Sequence, residues 1–380
     1  MRPIVLLGAT GSIGSQTRDV VARNGWDIVG LAARSASEEL LGAAAEFPDA
    51  SVAVAEPTDE GRRRLQSALG ARVDFGPDAV DALAAHSGAI VVNGIVGAAG
   101  LRASVTALES GNRLALANKE TLVAGGPVVV AAAERGGGEI VPIDSEHSAL
   151  WQCLVGERRG DVRRLILTAS GGPFRSRTPA ELEEVTVAEA LNHPTWSMGP
   201  RITVDSATLL NKALEVIEAH YLFDVSYDAI DVVVHPESIV HSMVEYTDGA
   251  IIAELGAPDM RLPIQYALTY PDRMSVPPNR FDFTAQNLTF YEPDMETFRC
   301  LALGYAAGRA GGSAPAVLNA ADEVAVAAFL EQRIGFLQIA DVIEATLDTV
   351  EHGPVENIAD VVAYDAEARR VAAQWIAGTE

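Results

Sequence analysis

The segment from Ile4 to Gly14 constrains the fold more than any other. Ile4–Leu7 is a short, fully apolar run, Gly8-Ala-Thr-Gly11-Ser-Ile-Gly14 follows at once, and a helix-compatible run continues to Ala22. A strand, a glycine turn and a helix N-terminus in that order set backbone N–H groups against a pyrophosphate. The spacing is GxxGxxG rather than GxGxxG, so the turn alone is a modest signal. The second apolar run, Asp27–Ala33, adds to it by ending in Arg34-Ser35. An NAD-selective fold carries an acidic residue at that strand end for the ribose 2′-hydroxyl, whereas a cation and a hydroxyl suit a 2′-phosphate. NADPH is therefore the expected cofactor. Further β-α alternation follows in Ser51–Ala55, Ala89–Val92 ending at Asn93-Gly94, and Arg113–Ala117 ending at Asn118-Lys119-Glu120. Ligands in such sheets gather at the carboxyl ends of the strands.

Composition narrows the partners. A formal net charge of −24 argues against any nucleic-acid partner, because binding a phosphate backbone rests on clustered Lys and Arg. An anionic substrate must then be held by a local cluster of donors. Cys153 and Cys300 are the only cysteines, so a disulfide framework is not expected and a reducing, cytoplasmic setting is. The first strand begins at Pro3, so no signal peptide is expected. The longest uncharged apolar stretch, Val123–Ala133, is too short to span a bilayer, and no membrane association is expected.

The strongest chemical signal is a set of carboxylates. Asp144 and Glu146 are two apart at the end of the apolar stretch Glu139–Ile143, and a period of two would aim both from one face of an extended chain. Glu215 follows Asn211 by four on a segment that reads as a helix, so these two share a face. Hard oxygen anions without paired Cys or His suit Mg²⁺ or Mn²⁺. For an isolated Asp-x-Glu the plainer reading is a strand end and a helix cap near His147. Asn118-Lys119-Glu120 offers an amide, an ammonium and a carboxylate where cofactor and metal would meet.

A second cluster lies downstream. Arg164–Thr168 is a strand opening into Ala169-Ser170-Gly171-Gly172-Pro173, a hydroxyl and two glycines able to cradle a phosphate. His193-Pro-Thr-Trp196-Ser-Met198-Gly199 lacks periodicity and reads as a lid that excludes water. Asp205 or Ser206 is expected as N-cap of a helix from Leu209 to Tyr221. Ser170, Ser206, Asn211 and Lys212 together would form the phosphate pocket that the acidic composition demands.

Ile230–Val234 and Ser238–Tyr246 read as strands, the latter returning through Asp248-Gly249 to Ala250–Glu254 as a hairpin. Pro271–Asp294 reads as a linker, and helical spacing recurs in Phe298–Arg309, Pro315–Leu330, Phe336–Val350 and Ile358–Trp375. The fold class expected is α/β, with an N-terminal Rossmann-like dinucleotide-binding domain (1–144), a central α/β catalytic domain (145–270) carrying the lid 193–199, a linker (271–294) and a small C-terminal helical bundle (295–380).

The glycine turn, Ala117–Glu120, Asp144–His147, Ser170–Phe174, His193–Gly199 and Asp205–Glu215, taken in order, closely resemble 1-deoxy-D-xylulose 5-phosphate reductoisomerases. The resemblance implies a homodimer that converts this phosphorylated sugar to 2-C-methyl-D-erythritol 4-phosphate with NADPH, in the non-mevalonate isoprenoid route. It implies Asp144, Glu146 and Glu215 as metal ligands. Lys119, Ser145, Glu146, Ser170, His193, Trp196, Ser206, Asn211, Lys212 and Glu215 are the expected substrate contacts; the resemblance implies Thr10, Gly11, Ser12, Ile13, Asn118, Glu120 and Gly199 as cofactor contacts, to which the strand-end reading adds Arg34 and Ser35. Lys119 would neutralise oxyanion charge, Glu146 relay a proton and His193 act beside them. Two departures stand out: Ala169 where glycine is expected, and Arg34-Ser35 in the loop after the second strand. The path of rearrangement, retro-aldol or ketol shift, is left open. Two rivals are an NADPH-dependent semialdehyde dehydrogenase, which needs a nucleophilic cysteine, and a non-catalytic NADPH-binding protein.

Overall fold

The computed structural model describes residues 2–196, 198–275 and 282–379. The chain forms two compact units: residues 1–121, 127–148 and 259–277 make the first, and 122–126, 149–258 and 278–380 the second.

In the first unit seven strands form one parallel sheet: β1 (Ile4–Leu7), β2 (Ile28–Ala33), β3 (Ser51–Val54), β4 (Val73–Phe75), β5 (Ile90–Asn93), β6 (Arg113–Leu116) and β7 (Glu139–Pro142). Their order is β4-β3-β2-β1-β5-β6-β7. Every residue of β1 is buried, as a strand between two parallel neighbours and two helical layers must be. Ile4 pairs with Ile28 on one side and Ile90 on the other. The chain winds outward from β1 to β4, then returns to lay β5 on the opposite side. The gap between β1 and β5 is thus the topological switch point, where ligands of such sheets bind. Only β4, a three-residue edge strand, escapes the sequence pattern.

One expectation about boundaries is corrected here. Residues 259–270 belong to the first unit, not to a central domain ending at 270. The helix Arg261–Thr269 is tied there by polar bonds: Arg261 Nε lies 2.5 Å from Asp19 Oδ2, and Arg113 Nη1 donates to Tyr270 O at 2.7 Å. The linker expected at 271–294 is likewise divided. Residues 276–281 lie outside the described residues, while Tyr291 bridges to Val234.

The second unit is built on a four-stranded sheet of order β11-β10-β8-β9, from β8 (Val162–Ala169), β9 (Ile230–Val234), β10 (Val240–Tyr246) and β11 (Ile251–Leu255). The hairpin through Gly249 (φ +87°) forms as expected, with Val244 opposite Ile252. The four C-terminal helices also form, as Cys300–Ala310, Ala314–Leu330, Gln338–Thr349 and Ile358–Thr379. They do not make a separate domain. Leu165 and Leu167 of β8, Leu214 and Ile217 of helix Leu210–Phe223, and Leu318, Ile339 and Ile376 of the C-terminal helices share one buried core. The helices Leu210–Phe223 and Cys300–Ala310 approach so closely that a Cβ on Gly304 would sit 2.3 Å from that of Ala213. Among the described residues no helix is long and apolar enough to cross a membrane.

Candidate active site

The glycine turn of the first unit is shaped by contacts that exclude side chains. Gly8 has φ +84°, and a Cβ there would meet Gly94 O at 2.5 Å; one on Gly14 would meet Gly8 O at 2.3 Å. The turn therefore meets the loop after β5 only if position 8 is glycine, and folds back on its own helix only if position 14 is. Gly11 is the N-cap of helix Ser12–Arg23 and brings no side chain to it. Thr10, Gly11 and Ser12 are exposed and Ile13 is half-buried, so the helix N-terminus and the turn's backbone are open to an anion. Arg34 and Ser35 follow β2 and are exposed. Arg34 pairs with Glu56 at 2.8 Å, both largely exposed, and such a pair adds little stability.

Asn118 and Glu120 serve the neighbouring loop. The buried Asn118 amide donates to Ile95 O (2.8 Å), Gly97 O (2.9 Å) and Glu120 Oε2 (2.8 Å), and Glu120 Oε1 accepts from Gly97 N. Asn93 does the same from β5, donating to Gly100 O. These side chains fix the loop 94–100 beside the glycine turn.

Lys119 is buried, its Nζ 3.0 Å from Asp144 Oδ2. The other oxygen of Asp144 accepts from the backbone N–H groups of Glu146 and His147, at 3.1 and 3.4 Å. Asp144 is thus the cap of helix Ser145–Cys153, and Glu146 stands in that helix's first turn. The extended reading of this segment is corrected: β7 ends at Pro142, and Asp144 and Glu146 come together at a helix start, not along one strand face. Ser145 Oγ donates to Glu146 Oε2 at 2.7 Å. His147, absent from the sequence-based site, is fully buried with Nδ1 3.0 Å from Asp144 Oδ1. Its spacing of three from Asp144 on a helix start was the available signal.

In the second unit the turn after β8 places Ser170 beside His193. His193 Nδ1 accepts from the backbone N–H groups of Thr195 (3.1 Å) and Trp196 (2.9 Å), so the ring proton sits on Nε2. Nε2 lies 2.9 Å from Ser170 Oγ and donates to it, and Gly172 N donates to the same oxygen at 3.2 Å. The Ser170 hydroxyl proton is left to point at a ligand. Burial, then the nearby Arg175 guanidinium, lowers the His193 pKa from its ordinary 6.5. The ring is neutral at neutral pH, which suits a hydrogen-bond donor better than a general acid. Of the expected lid, Trp196 and Gly199 are placed, whereas Ser197 lies outside the described residues.

Gly172, at φ +67°, would drive a Cβ to 2.7 Å from Ser206 O, so the Ser170 turn packs onto Ser206's backbone. Ser206 is in the last turn of helix Pro200–Ala207, whose N-cap is Gly199. The expectation that Asp205 or Ser206 caps the next helix is corrected. That helix starts at Leu210, after Leu209 takes the left-handed conformation (φ 62°), which separates it from the helix Pro200–Ala207 that the sequence reading lacked. Within it Asn211 Nδ2 donates to Glu215 Oε1 at 2.7 Å, Lys212 Nζ contacts Glu215 Oε2, and both Lys212 and Glu215 are buried. Ala169, where glycine was expected, is the last residue of extended β8 paired with Val234; no positive φ is needed, so alanine fits.

Family models give the decisive comparison. The model of 1-deoxy-D-xylulose 5-phosphate reductoisomerase matches residues 4–126, that of the same enzyme's C-terminal domain 140–223, and a further C-terminal domain model 255–371. The reductoisomerase of Chlorobium chlorochromatii is 50% identical over 99% of this chain and 100% of its own length, and that of Thermosynechococcus vestitus 48% identical over 97% and 92%. The chain belongs to the 1-deoxy-D-xylulose 5-phosphate reductoisomerase family. A solved reductoisomerase from Zymomonas mobilis in complex with NADPH is similar at TM-score 0.92 and 41% identity, covering 99% of both chains. Another, in complex with NADPH, fosmidomycin and magnesium, has TM-score 0.92 and 36% identity over 99% of this chain and 98% of its own. Both cysteines are free and buried. Burial, and then Glu254, pushes the Cys153 thiol up to about 12, and burial also raises Cys300. Neither supplies the thiolate that a semialdehyde dehydrogenase requires, and that rival is not favoured.

Proposed function

We propose that this chain converts 1-deoxy-D-xylulose 5-phosphate to 2-C-methyl-D-erythritol 4-phosphate, joining a skeletal rearrangement to reduction by NADPH, on the route to isoprenoid precursors. The observation that carries the reading is full-length identity near one half to reductoisomerases, combined with a glycine turn that admits no Cβ at Gly8 or Gly14.

The residues fit the expected groups. The turn 8–14, open at a helix N-terminus, suits the pyrophosphate, and Arg34 with Ser35 suits the 2′-phosphate of NADPH, which supplies hydride when bound. Thr10, Gly11, Ser12 and Ile13 would contact the cofactor directly. Asn118 and Glu120 act by holding the loop 94–97 in shape, and Gly199 would complete the contacts.

Asp144, Glu146 and Glu215 offer hard carboxylate oxygens, the donor set for Mg²⁺ or Mn²⁺. A divalent ion held there polarises the carbonyl and hydroxyl oxygens of an α-hydroxyketone. His147 and the helix-start N–H groups orient Asp144, and Ser145 orients Glu146, so the ligands are set in place before substrate arrives. Lys119 would neutralise charge on a substrate oxygen, and Glu146 would move the hydroxyl proton. Ser170, Ser206, Asn211 and Lys212 would take the phosphate, with His193 holding Ser170 in donor orientation. Trp196 would cover the ligand and exclude water. We further propose a cytoplasmic homodimer with no nucleic-acid or membrane partner.

The test is NADPH oxidation followed on 1-deoxy-D-xylulose 5-phosphate with and without a chelator. Oxidation that needs both the sugar phosphate and free divalent metal is expected. Oxidation indifferent to chelator, or NADPH binding with no turnover on this substrate, would overturn the reading.

A further inference from the structure

Helix Pro200–Ala207 begins where the loop 193–199 ends and carries Ser206 in its last turn. A helix this short does not hold its own place by intrahelical bonds. What fixes it is a polar chain running into the C-terminal helices. Arg201, in the first turn, donates from Nη1 to Glu323 Oε1 at 3.0 Å, and from Nη2 to Asn319 Oδ1 at 3.0 Å and Asp322 Oδ2 at 3.1 Å. All three acceptors belong to helix Ala314–Leu330, and Asn319 and Asp322 are fully buried. Glu323 is held in turn by Arg369 of helix Ile358–Thr379, with Nη2 2.5 Å from Oε2, and Asp365 clamps Arg369 at 2.6 Å. On its other side Arg201 Nε lies 3.7 Å from Oδ2 of the buried Asp205, the residue before Ser206.

Half-buried ion networks of this kind, in which only Asn319, Asp322 and Asp205 are buried, add little stability over apolar packing of equal volume. Their distinctive property is direction. The planar guanidinium fork satisfies several acceptors at fixed angles and so sets both the height and the rotation of the helix that bears it. Apolar contacts alone permit a short helix to slide or roll.

We propose that Arg201 is a positioning residue for the reaction. Through it the helices 314–330 and 358–379, which carry none of the reacting groups, set Ser206 at one end of the helix Pro200–Ala207 and its N-cap Gly199 at the other. The proposal rests on the reading of Ser206 as a phosphate contact. It gives the C-terminal helices a part in substrate binding beyond bulk support.

The experiment compares Arg201→Met, Arg201→Lys, Arg369→Met and Ser206→Ala in the full chain. It reads KM for the sugar phosphate, kcat, the Ki of inorganic phosphate, NADPH affinity and thermal midpoint. Arg201→Met is expected to raise KM and phosphate Ki about tenfold while kcat falls by less than about threefold and NADPH affinity holds. Arg201→Lys should recover part of the KM, and Arg369→Met, which reaches Arg201 through Glu323, should raise KM by roughly threefold. An Arg201→Met enzyme whose KM and phosphate Ki are those of the wild type, or whose parameters all fall in step with thermal midpoint, overturns the proposal. If that variant does not fold, Arg369→Met decides, an unchanged KM again overturning it. Ser206→Ala separates the two layers. Unchanged phosphate Ki in Ser206→Ala removes the phosphate reading itself, whereas a raised Ki there with none in Arg201→Met leaves that reading standing and sinks only the role of Arg201.

Discussion

The glycine turn of the first unit and the polar cluster of the second prepare for anions in different ways. At Gly8–Gly14 the binding surface is backbone, and side chains are excluded by carbonyls 2.3–2.5 Å from where a Cβ would stand. At Ser170, His193, Asn211, Lys212 and Glu215 the surface is side chains, which hold one another in place. A backbone site is broken by adding atoms, whereas a side-chain site is broken by removing a partner. It also tolerates exchange of a partner that its neighbours can replace.

The sharpest way to break the side-chain half is Glu215→Gln. Turnover is expected to fall at least about 100-fold, because one anionic ligand is lost. Lys212, buried with Glu215, also loses the charge of that neighbour, so a stability loss approaching about 3 kcal/mol is expected. Thermal unfolding with and without Mg²⁺ tells the two effects apart: the metal should raise the midpoint of the wild type and not of the variant. Near wild-type turnover at saturating Mg²⁺ would remove Glu215 from the site.

Gly14→Ala breaks the backbone half. A Cβ 2.3 Å from Gly8 O forces the turn open, and roughly 1–3 kcal/mol of overpacking is expected, seen as weaker NADPH binding with KM for the sugar phosphate changed far less. A folded variant with normal NADPH affinity would show that the turn is not the cofactor's seat.

Arg34→Asp is a smaller, selective change at the same half. Since Arg34 is exposed and paired only on the surface with Glu56, folding should be unaffected. The NADPH-to-NADH preference should fall about tenfold. Equal effects on both cofactors would make Arg34 a bystander.

The pH behaviour of His193 probes how the side chains hold one another. Its folded-state pKa is lowered from 6.5, mainly by burial. The folded state therefore binds this proton less readily than the unfolded one, and the stability gained is present above about pH 6.5 and lost as pH falls through the folded value. Ring chemical shifts in an NMR titration should give a midpoint below 6.5; a midpoint above it would mean a charged partner the described contacts do not contain. The smallest effect is expected at the cysteines. With the Cys153 thiol pushed up to about 12 and buried, alkylating reagents at neutral pH should leave activity unchanged, and rapid inactivation would revive a thiolate mechanism.

The same contrast explains what was legible in the sequence. The parallel strands, the glycine turn, the 248–249 hairpin and the Asn211–Glu215 pair depend on neighbours within a few positions, so local pattern reveals them. At Asp144 the pattern offered both a strand face and a helix cap, because a period of two fits either over three residues, and the helix cap is what forms. The helix Pro200–Ala207 was hidden because it ends at a left-handed leucine, which is costly and which nothing in that residue's own identity announces. The Arg201 network and the membership of 259–270 in the first unit join residues more than a hundred positions apart, beyond any local period.

The central claim is that the carboxylates of Asp144 and Glu146, capped and oriented at one helix start, act with Glu215 on one divalent ion. Anomalous scattering from crystals grown with Mn²⁺, NADPH and a phosphonate–hydroxamate ligand tests it most directly. A single manganese peak about 2.1 Å from a carboxylate oxygen of each of the three residues is expected. A peak ligated elsewhere, or one that leaves any of the three unligated, would contradict it.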